Sequence, residues 1–272
     1  MSKYVYSSNG QNLLSQALKD FYAGLCLFPL CCYLGWEDVK QRYIRTLLGP
    51  LWIIISTGIW VAVMAFVMAS LFGQPVAHSL PFIAAGVSIW NFIGGIMTES
   101  CSLFPVNASL LQAINLPITV HVLRFLIRNV ILFAHNFIIL LLVFFICHIG
   151  LHLNTLWVIP GFIILLLNSF WVTFFLSLTN LRFRDIQQII ATSMMILPFV
   201  TPIFWEKSFL QKHHWIANIN PFYHFVEIVR APLLGQTVPL LSWGVTLGFT
   251  VFGLLGVLWM FSKYKHRIIF WL

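Results

Sequence analysis

Polar and apolar residues are separated along this chain instead of being mixed on opposite faces of each segment. The change is sharpest in EDVKQRYIRTLLGPLWIII (37–55), where a dense run of charge stops at Thr46 and gives way to Leu, Ile and Trp. A surface helix repeats its apolar residues every three or four positions; a block boundary marks a chain leaving water for lipid. Six long apolar segments follow, at about Leu47–Phe72, Pro81–Phe104, Ile118–Cys147, Leu156–Leu178, Ile186–Phe204 and Leu240–Phe261. None alternates as a strand does, so helices and not a barrel must satisfy the backbone in lipid. A 24-residue helix reaches ~36 Å, enough for a ~30 Å hydrocarbon core with some tilt. The third block is longer and is expected to begin outside the lipid. The expected fold is an all-α integral membrane protein with six transmembrane helices.

Two flanking segments have a different pattern. In QNLLSQALKDFYAGLCLF (11–28), Leu13, Leu14, Ala17, Leu18, Phe21, Tyr22 and Leu25 recur at helical spacing, opposite Ser15, Gln16, Lys19 and Asp20. Asn12 is the expected N-cap and Pro29 interrupts the pattern. Such a helix is too polar to span; it either lies in the interface plane or packs on a cytoplasmic partner. The segment 205–238 is too apolar for an ordinary external loop, and Glu227 and Arg230 stand three apart within it. We expect a short re-entrant or interfacial helical hairpin there, with Pro221 and Pro232 bounding a helix of about two turns. The chain thus divides into a cytoplasmic amino-terminal region (1–46), a six-helix domain (47–262) and a cytoplasmic tail (263–272).

Composition agrees. Residues are 60% hydrophobic and only 8% charged, with a mean hydropathy of +0.92, whereas soluble domains carry about 25% charge. The net charge of +8 reflects basic flanks and not a nucleic-acid surface, because no basic stripe with interleaved stacking aromatics lies outside the apolar blocks. With both termini inside, Lys3, Lys19, Lys40, Arg42, Arg45, Arg124, Arg128, Arg182, Arg184, Lys263, Lys265 and Arg267 are cytoplasmic, twelve of the fifteen Lys and Arg; only Lys207, Lys212 and Arg230 fall outside. That orientation follows the positive-inside rule. The start, MSKYVYSSNGQN, has no apolar signal core, so the amino terminus is expected to stay in the cytoplasm. The five cysteines, Cys26, Cys31, Cys32, Cys101 and Cys147, form no C-x-x-C pair and no zinc pattern.

Candidate chemistry is sparse. None of the seven lysines follows a glycine, so no phosphate-cradling loop for ATP exists. There is no GxSxG, no HExxH and no pairing among the seven acidic residues. We therefore expect no catalytic residue, no metal and no cofactor in this chain. Glu99 is the one carboxylate inside an expected span; it either reaches water or an Arg at its helix end, or serves a proton-coupled carrier, which would want further buried acids. Arg124 and Arg128 share a face, with His121 and His135 nearby. They either snorkel to the headgroups or line the cytoplasmic mouth and attract an anionic head such as a pyrophosphate. Trp52, Trp60, Trp90, Phe92, Phe199, Phe204 and Trp205 either stack on sugar rings in a pathway or form lipid-facing belts. Ala65 with Ala69, and Gly244 with Gly248, allow close helix approach.

Three blocks, GWEDVKQRYIRTLLGPLW, NLRFRDIQQIIATSMMILPFVTPIFW and NPFYHFVEIVRAPLLG, resemble the permease of type-2 ABC exporters that move lipid-linked O-antigen, capsule or teichoic-acid chains. The resemblance covers essentially the whole chain in order. It implies two paired permeases in the bacterial inner membrane, with two separate ATPase subunits that carry the ATP and Mg. It places a coupling helix in NASLLQAINLP (107–117), through Asn107, Leu110, Leu111 and Gln112, with Arg182 and Asp185 at the next cytoplasmic turn. Region 205–238 becomes a periplasmic gate, with Pro221, Tyr223, Glu227 and Arg230. The coupling loop has no basic residue, so its ATPase contact should be apolar or polar and not ionic. The pathway candidates are Arg124, Arg128, Trp52, Trp60, Phe199 and Trp205.

Three rivals are weighed. A drug- or small-molecule-exporting ABC permease would have a closed apolar pocket. A secondary carrier would show internal repeats with broken helices and buried ion ligands. A lipid-linked sugar transferase would need acidic metal ligands at a membrane face, for which Asp185 alone is insufficient.

Overall fold

A computed structural model of the chain describes residues 13–150, 152–213 and 215–271. Asn12 and Lys3 lie outside the described residues. The protein is an all-α integral membrane protein. Helix α1 (Leu13–Cys26) bends by 69° into α2 (Phe28–Tyr43). After it come α3 (Leu51–Phe72), α4 (Val76–Ser100), the short α5 (Leu103–Val106) and α6 (Ala108–Ala113), then α7 (Ile118–Ile146), α8 (Val158–Arg182) and α9 (Asp185–Val200). Helices α10 (Trp215–Ile219), α11 (Pro221–Leu233), α12 (Leu240–Tyr264) and α13 (Ile268–Trp271) complete the described chain.

Among the described residues, five helices are long and apolar enough to cross a bilayer: α3, α4, α7, α8 with its 3₁₀ lead-in, and α12. The expected fifth span, Ile186–Phe204, is the shorter α9 of 16 residues, which reaches only ~24 Å. Pro198 lies in its last turn, and the backbone is extended at Thr201. From there Thr201–Phe204 turns inward and is buried. Pro29 does interrupt the amino-terminal pattern: α1 ends at Cys26 with a 69° bend, and Pro29 occupies the first turn of α2, where a missing N–H costs nothing.

Helix α4 is the hub. Every residue from Ile83 to Trp90 is buried, the pattern of a helix surrounded on all sides, and α3, α7, α8, α9 and α11 all lie against it. By contrast α3 buries one stripe, Thr57, Val61, Ala65 and Ala69, spaced four apart as a single line of contact requires. Ala65 and Ala69 therefore do mediate close approach, between α3 and the rest of this chain. Gly73 ends α3 with φ +64, and its N–H donates to the Ala69 carbonyl, a left-handed cap that other residues adopt at a cost.

Polar side chains staple the apolar helices. Asn168 Nδ2 of α8 donates to Thr250 Oγ1 of α12 at 2.7 Å, and Thr57 Oγ1 of α3 donates to Asn136 Oδ1 of α7 at 3.2 Å. Such bonds contribute about 0.6–2 kcal/mol each in lipid. Close approach of α12 depends on Gly253, whose missing side chain leaves room for the Trp171 indole of α8; Gly244 and Gly248, singled out from their spacing, face open space. A Cβ on Gly161 of α8 would sit 2.6 Å from the Ile228 carbonyl oxygen of α11. We expect Gly161→Ala to lower the thermal midpoint by an overpacking cost of about 1–3 kcal/mol, while Gly244→Ala and Gly248→Ala leave it unchanged; unfolding of detergent-purified protein followed by size exclusion reads the difference.

Candidate functional site

One end of the bundle gathers most of the described charge. Asp38 of α2 accepts from Arg124 of α7 through two bonds, Nε to Oδ2 at 2.6 Å and Nη2 to Oδ1. Glu99, in the last turn of α4, is shared: Arg128 Nη2 of α7 donates to one oxygen and Arg42 Nη1 of α2 to the other at 3.2 Å. The carboxylate inside the span thus finds arginines at its helix end. Arg124 and Arg128 are paired and not free, so an anion entering here competes with Asp38 and Glu99. Three guanidiniums against two carboxylates leave this cluster with one surplus positive charge. Desolvation of the partners is partial, since Arg42 and Glu99 keep 47% and 34% of their side-chain surface, so the outer pair is worth little on its own. The Arg124–Asp38 fork, at 18% and 16%, is the firmer one.

These pairs clamp α2, α4 and α7 above a protruding segment. Helix α6 has six residues and none is buried. Asn107 precedes it, its Nδ2 donating to the Leu103 carbonyl at 2.7 Å. Leu110 and Leu111 are half-buried, with Leu111 against the core, while Gln112 is exposed. Val106 (75% exposed) and Ile114 (49%) flank the helix as apolar side chains open to solvent. In the α8–α9 turn Arg182, Phe183, Arg184 and Asp185 are all exposed, and α8 lies against α5. Asp185 opens α9, where a carboxylate suits the positive helix end. Arg182 sits over the Trp271 ring of α13 at 5.8 Å.

A residue not foreseen from sequence joins the end of α4 to the start of α9. Asn180, 3% exposed, donates through Nδ2 to the Cys101 carbonyl at the end of α4 (2.7 Å) and accepts through Oδ1 from the Gln187 N–H of α9 (3.1 Å). Its partners are separated in sequence by about eighty residues and by seven, so no local pattern could reveal it.

At the opposite end, α11 is held by buried polar bonds. Asn220 caps it, its Oδ1 accepting from the Phe222 N–H at 3.0 Å, and its Nδ2 donates to Thr201 Oγ1 at 2.8 Å. Pro221 takes the first helical position. The helix has 13 residues with Pro232 in its last turn, longer than the two turns expected, because the prolines stand at the start and inside the end instead of outside both. Arg230, 3% exposed in its side chain, donates from Nε and Nη2 to Glu227 Oε2 (3.1 and 2.5 Å) and from Nη1 to the Pro202 carbonyl (2.6 Å). Its guanidinium lies 4.0 Å from the Phe82 ring centroid of α4. Tyr223 receives Lys207 over its ring at 5.4 Å. Burial pushes its phenol up to about 12, with Glu227 reinforcing and Arg230 opposing, so it stays a neutral donor at any physiological pH.

The aromatic candidates split. Trp60 of α3 stacks on Phe204 (5.6 Å, 22°), Phe199 of α9 tilts against Phe204 (5.8 Å), and Trp205 Nε1 donates to the Phe199 carbonyl (3.2 Å). Trp60, Phe199 and Trp205 are thus brought together where the last turn of α9 meets the middle of α3. Trp52 is not: it stands eight residues earlier on α3, ~12 Å along the axis, and is exposed. The outward faces of α3 and α9 carry Ile55, Ile59, Phe66, Ile189, Met195 and Ile196, all exposed, on either side of α4.

A family described as ABC-2 type transporter matches residues 29–234. A Klebsiella pneumoniae protein described as O-antigen export system permease protein RfbA is 24% identical over 249 residues, covering 89% of this chain and 94% of its own length. A second protein of that description and organism is 24% identical over 197 residues, covering 72% of this chain and 76% of its own.

Proposed function

The chain belongs to the ABC-2 type transporter family, and from that premise we propose that it is the permease of an exporter moving a lipid-linked polysaccharide of the O-antigen kind. Two copies pair in the inner membrane with both termini in the cytoplasm, and two ATPase chains, which carry the ATP and Mg, bind beneath them. The observation that carries the reading is α6: a helix with no fully buried residue, flanked by the open side chains of Val106 and Ile114, and following the end of α4 that Asn180 fastens to the α8–α9 turn. That geometry suits a platform on which a second protein pushes. The apolar outward faces of α3 and α9 suit a seam between two permeases, with Trp60, Phe199 and Trp205 as a stacking surface for sugar rings along it. The O-antigen description of the two relatives supports the cargo class over a drug.

In this mechanism ATP-driven closure of the ATPase dimer displaces α6 and the α8–α9 turn, and the seam opens. The surplus positive charge of the Arg42, Arg124 and Arg128 cluster receives the anionic head. We expect Arg124→Ala with Arg128→Ala to stop surface glycan. Adding Asp38→Asn and Glu99→Gln removes the stranded carboxylates; if export stays lost in this neutral set, the arginines act on cargo, and if it returns, they serve only to balance charge. Deleting the chain should abolish surface polysaccharide on gels without changing dye efflux. The opposite pattern would favour a small-molecule exporter.

A further inference from the structure

We propose that Asp20 is a positioning residue that clasps α1 to the foot of α7, so that α1 moves with the α6 segment; this rests on the reading of α6 as the surface the ATPase pushes. Helix α7 cannot cap itself, because its N-cap is Pro117, which offers no side-chain acceptor. Its first N–H groups are instead satisfied from another helix. Asp20 Oδ2 accepts from the Ile118 N–H at 3.3 Å, and Oδ1 accepts from the Thr119 N–H at 3.1 Å and from Thr119 Oγ1 at 2.8 Å. The same carboxylate meets Lys265 Nζ at 2.9 Å, at the end of α12. A carboxylate at a helix N-terminus is favoured by the dipole as well as by the bonds, and its side chain here is only 5% exposed.

The approach is close. A Cβ on Gly24 would lie 2.6 Å from the Thr119 side chain, so α1 rests its backbone on α7. One turn before it, Phe21 stacks on Phe261 of α12 (5.4 Å, 15°) and meets Phe170 and Phe174 of α8 edge-on. The opposite face of α1 presents Leu14, Leu18, Tyr22 and Leu25 outward. Only residues 114–117 separate α6 from Ile118, so the clasp closes on the point where a displacement of α6 enters α7. His121, the next inward position, is 2% exposed and has no hydrogen-bond partner on either ring nitrogen.

The test uses the permease–ATPase complex reconstituted in liposomes for ATP hydrolysis, and cells lacking the chromosomal permease for surface polysaccharide. Asp20→Ala should leave assembly intact and hydrolysis within about twofold, while export falls about tenfold, the range that coupling mutations cover. Lys265→Met, which keeps the three hydrogen bonds, should lower export less than Asp20→Ala does. Asp20→Asn guards against misfolding, since it preserves shape and one acceptor. Export with unchanged ATP cost in Asp20→Ala overturns the proposal. So does a parallel loss of assembly, hydrolysis and export in Asp20→Asn, which marks fold support alone. The premise fails separately: if Val106→Asp with Ile114→Asp leaves ATPase co-purification undiminished, α6 is not the pushed surface and the clasp transmits nothing.

Discussion

Arg230→Ala is expected to destabilise the protein by about 3–5 kcal/mol, the cost of stranding one partner of a buried ion pair. The side chain fills a closed site between α11, α4 and the turn after α9. Its removal leaves Glu227, 13% exposed in its side chain, without its cation, and leaves the Pro202 carbonyl and the Phe82 face without a donor. Because Pro202 sits where α9 stops short, the same change frees the turn that shortens the fifth apolar block. Arg230→Lys should not rescue, since an ammonium cannot supply the Nε–Nη2 fork and the Nη1 bond together. Arg230→Met with Glu227→Gln should recover most of the loss, as neutral replacement of a buried pair often does. Thermal unfolding of the three purified variants beside wild type reads the comparison; a midpoint for Arg230→Ala within a degree of wild type would show that α11 is held by its apolar face alone.

The parts of this fold that sequence discloses are those written in neighbouring residues. The blocks that became α3, α4, α7, α8 and α12 are continuous apolar runs, and lipid leaves helices as their one local solution. Glu99 could be placed at a helix end near arginine because it lies five residues before the end of its block. The rest is written in pairs far apart. Asp38 and Arg124 are 86 positions apart, Asp20 and Thr119 are 99 apart, and nothing local to either residue announces the other. Helix α2 was missed because FPLCCYLGWEDVKQRY spends its apolar residues early and its charges late, so neither a clean face nor a span emerges. Within the single chain, Gly244 and Gly248 have the interval of a close-packing motif but face open space, while Gly253, isolated in the pattern, lies against Trp171. Small-residue spacing permits contact; only the partner's shape decides where it occurs.

Val106→Asp together with Ile114→Asp is expected to detach the ATPase while leaving the permease folded. Both side chains are open to solvent at 75% and 49%, so charge there breaks no contact within the chain. In a complex they would be covered, and burying each aliphatic side chain is worth about 1.5–3 kcal/mol; losing both therefore weakens association by two orders of magnitude or more, at about 1.4 kcal/mol per tenfold. Residues 107–117 contain no Lys, Arg, Asp or Glu, so wild-type association should change little between low and high salt, because screening acts on charge and leaves apolar contact in place. Co-purification of a tagged ATPase across a salt series measures both effects. A steep loss of wild-type binding with salt would move the contact to Arg182, Arg184 and Asp185 of the α8–α9 turn, whose charges are exposed and screened, and would make α6 a bystander.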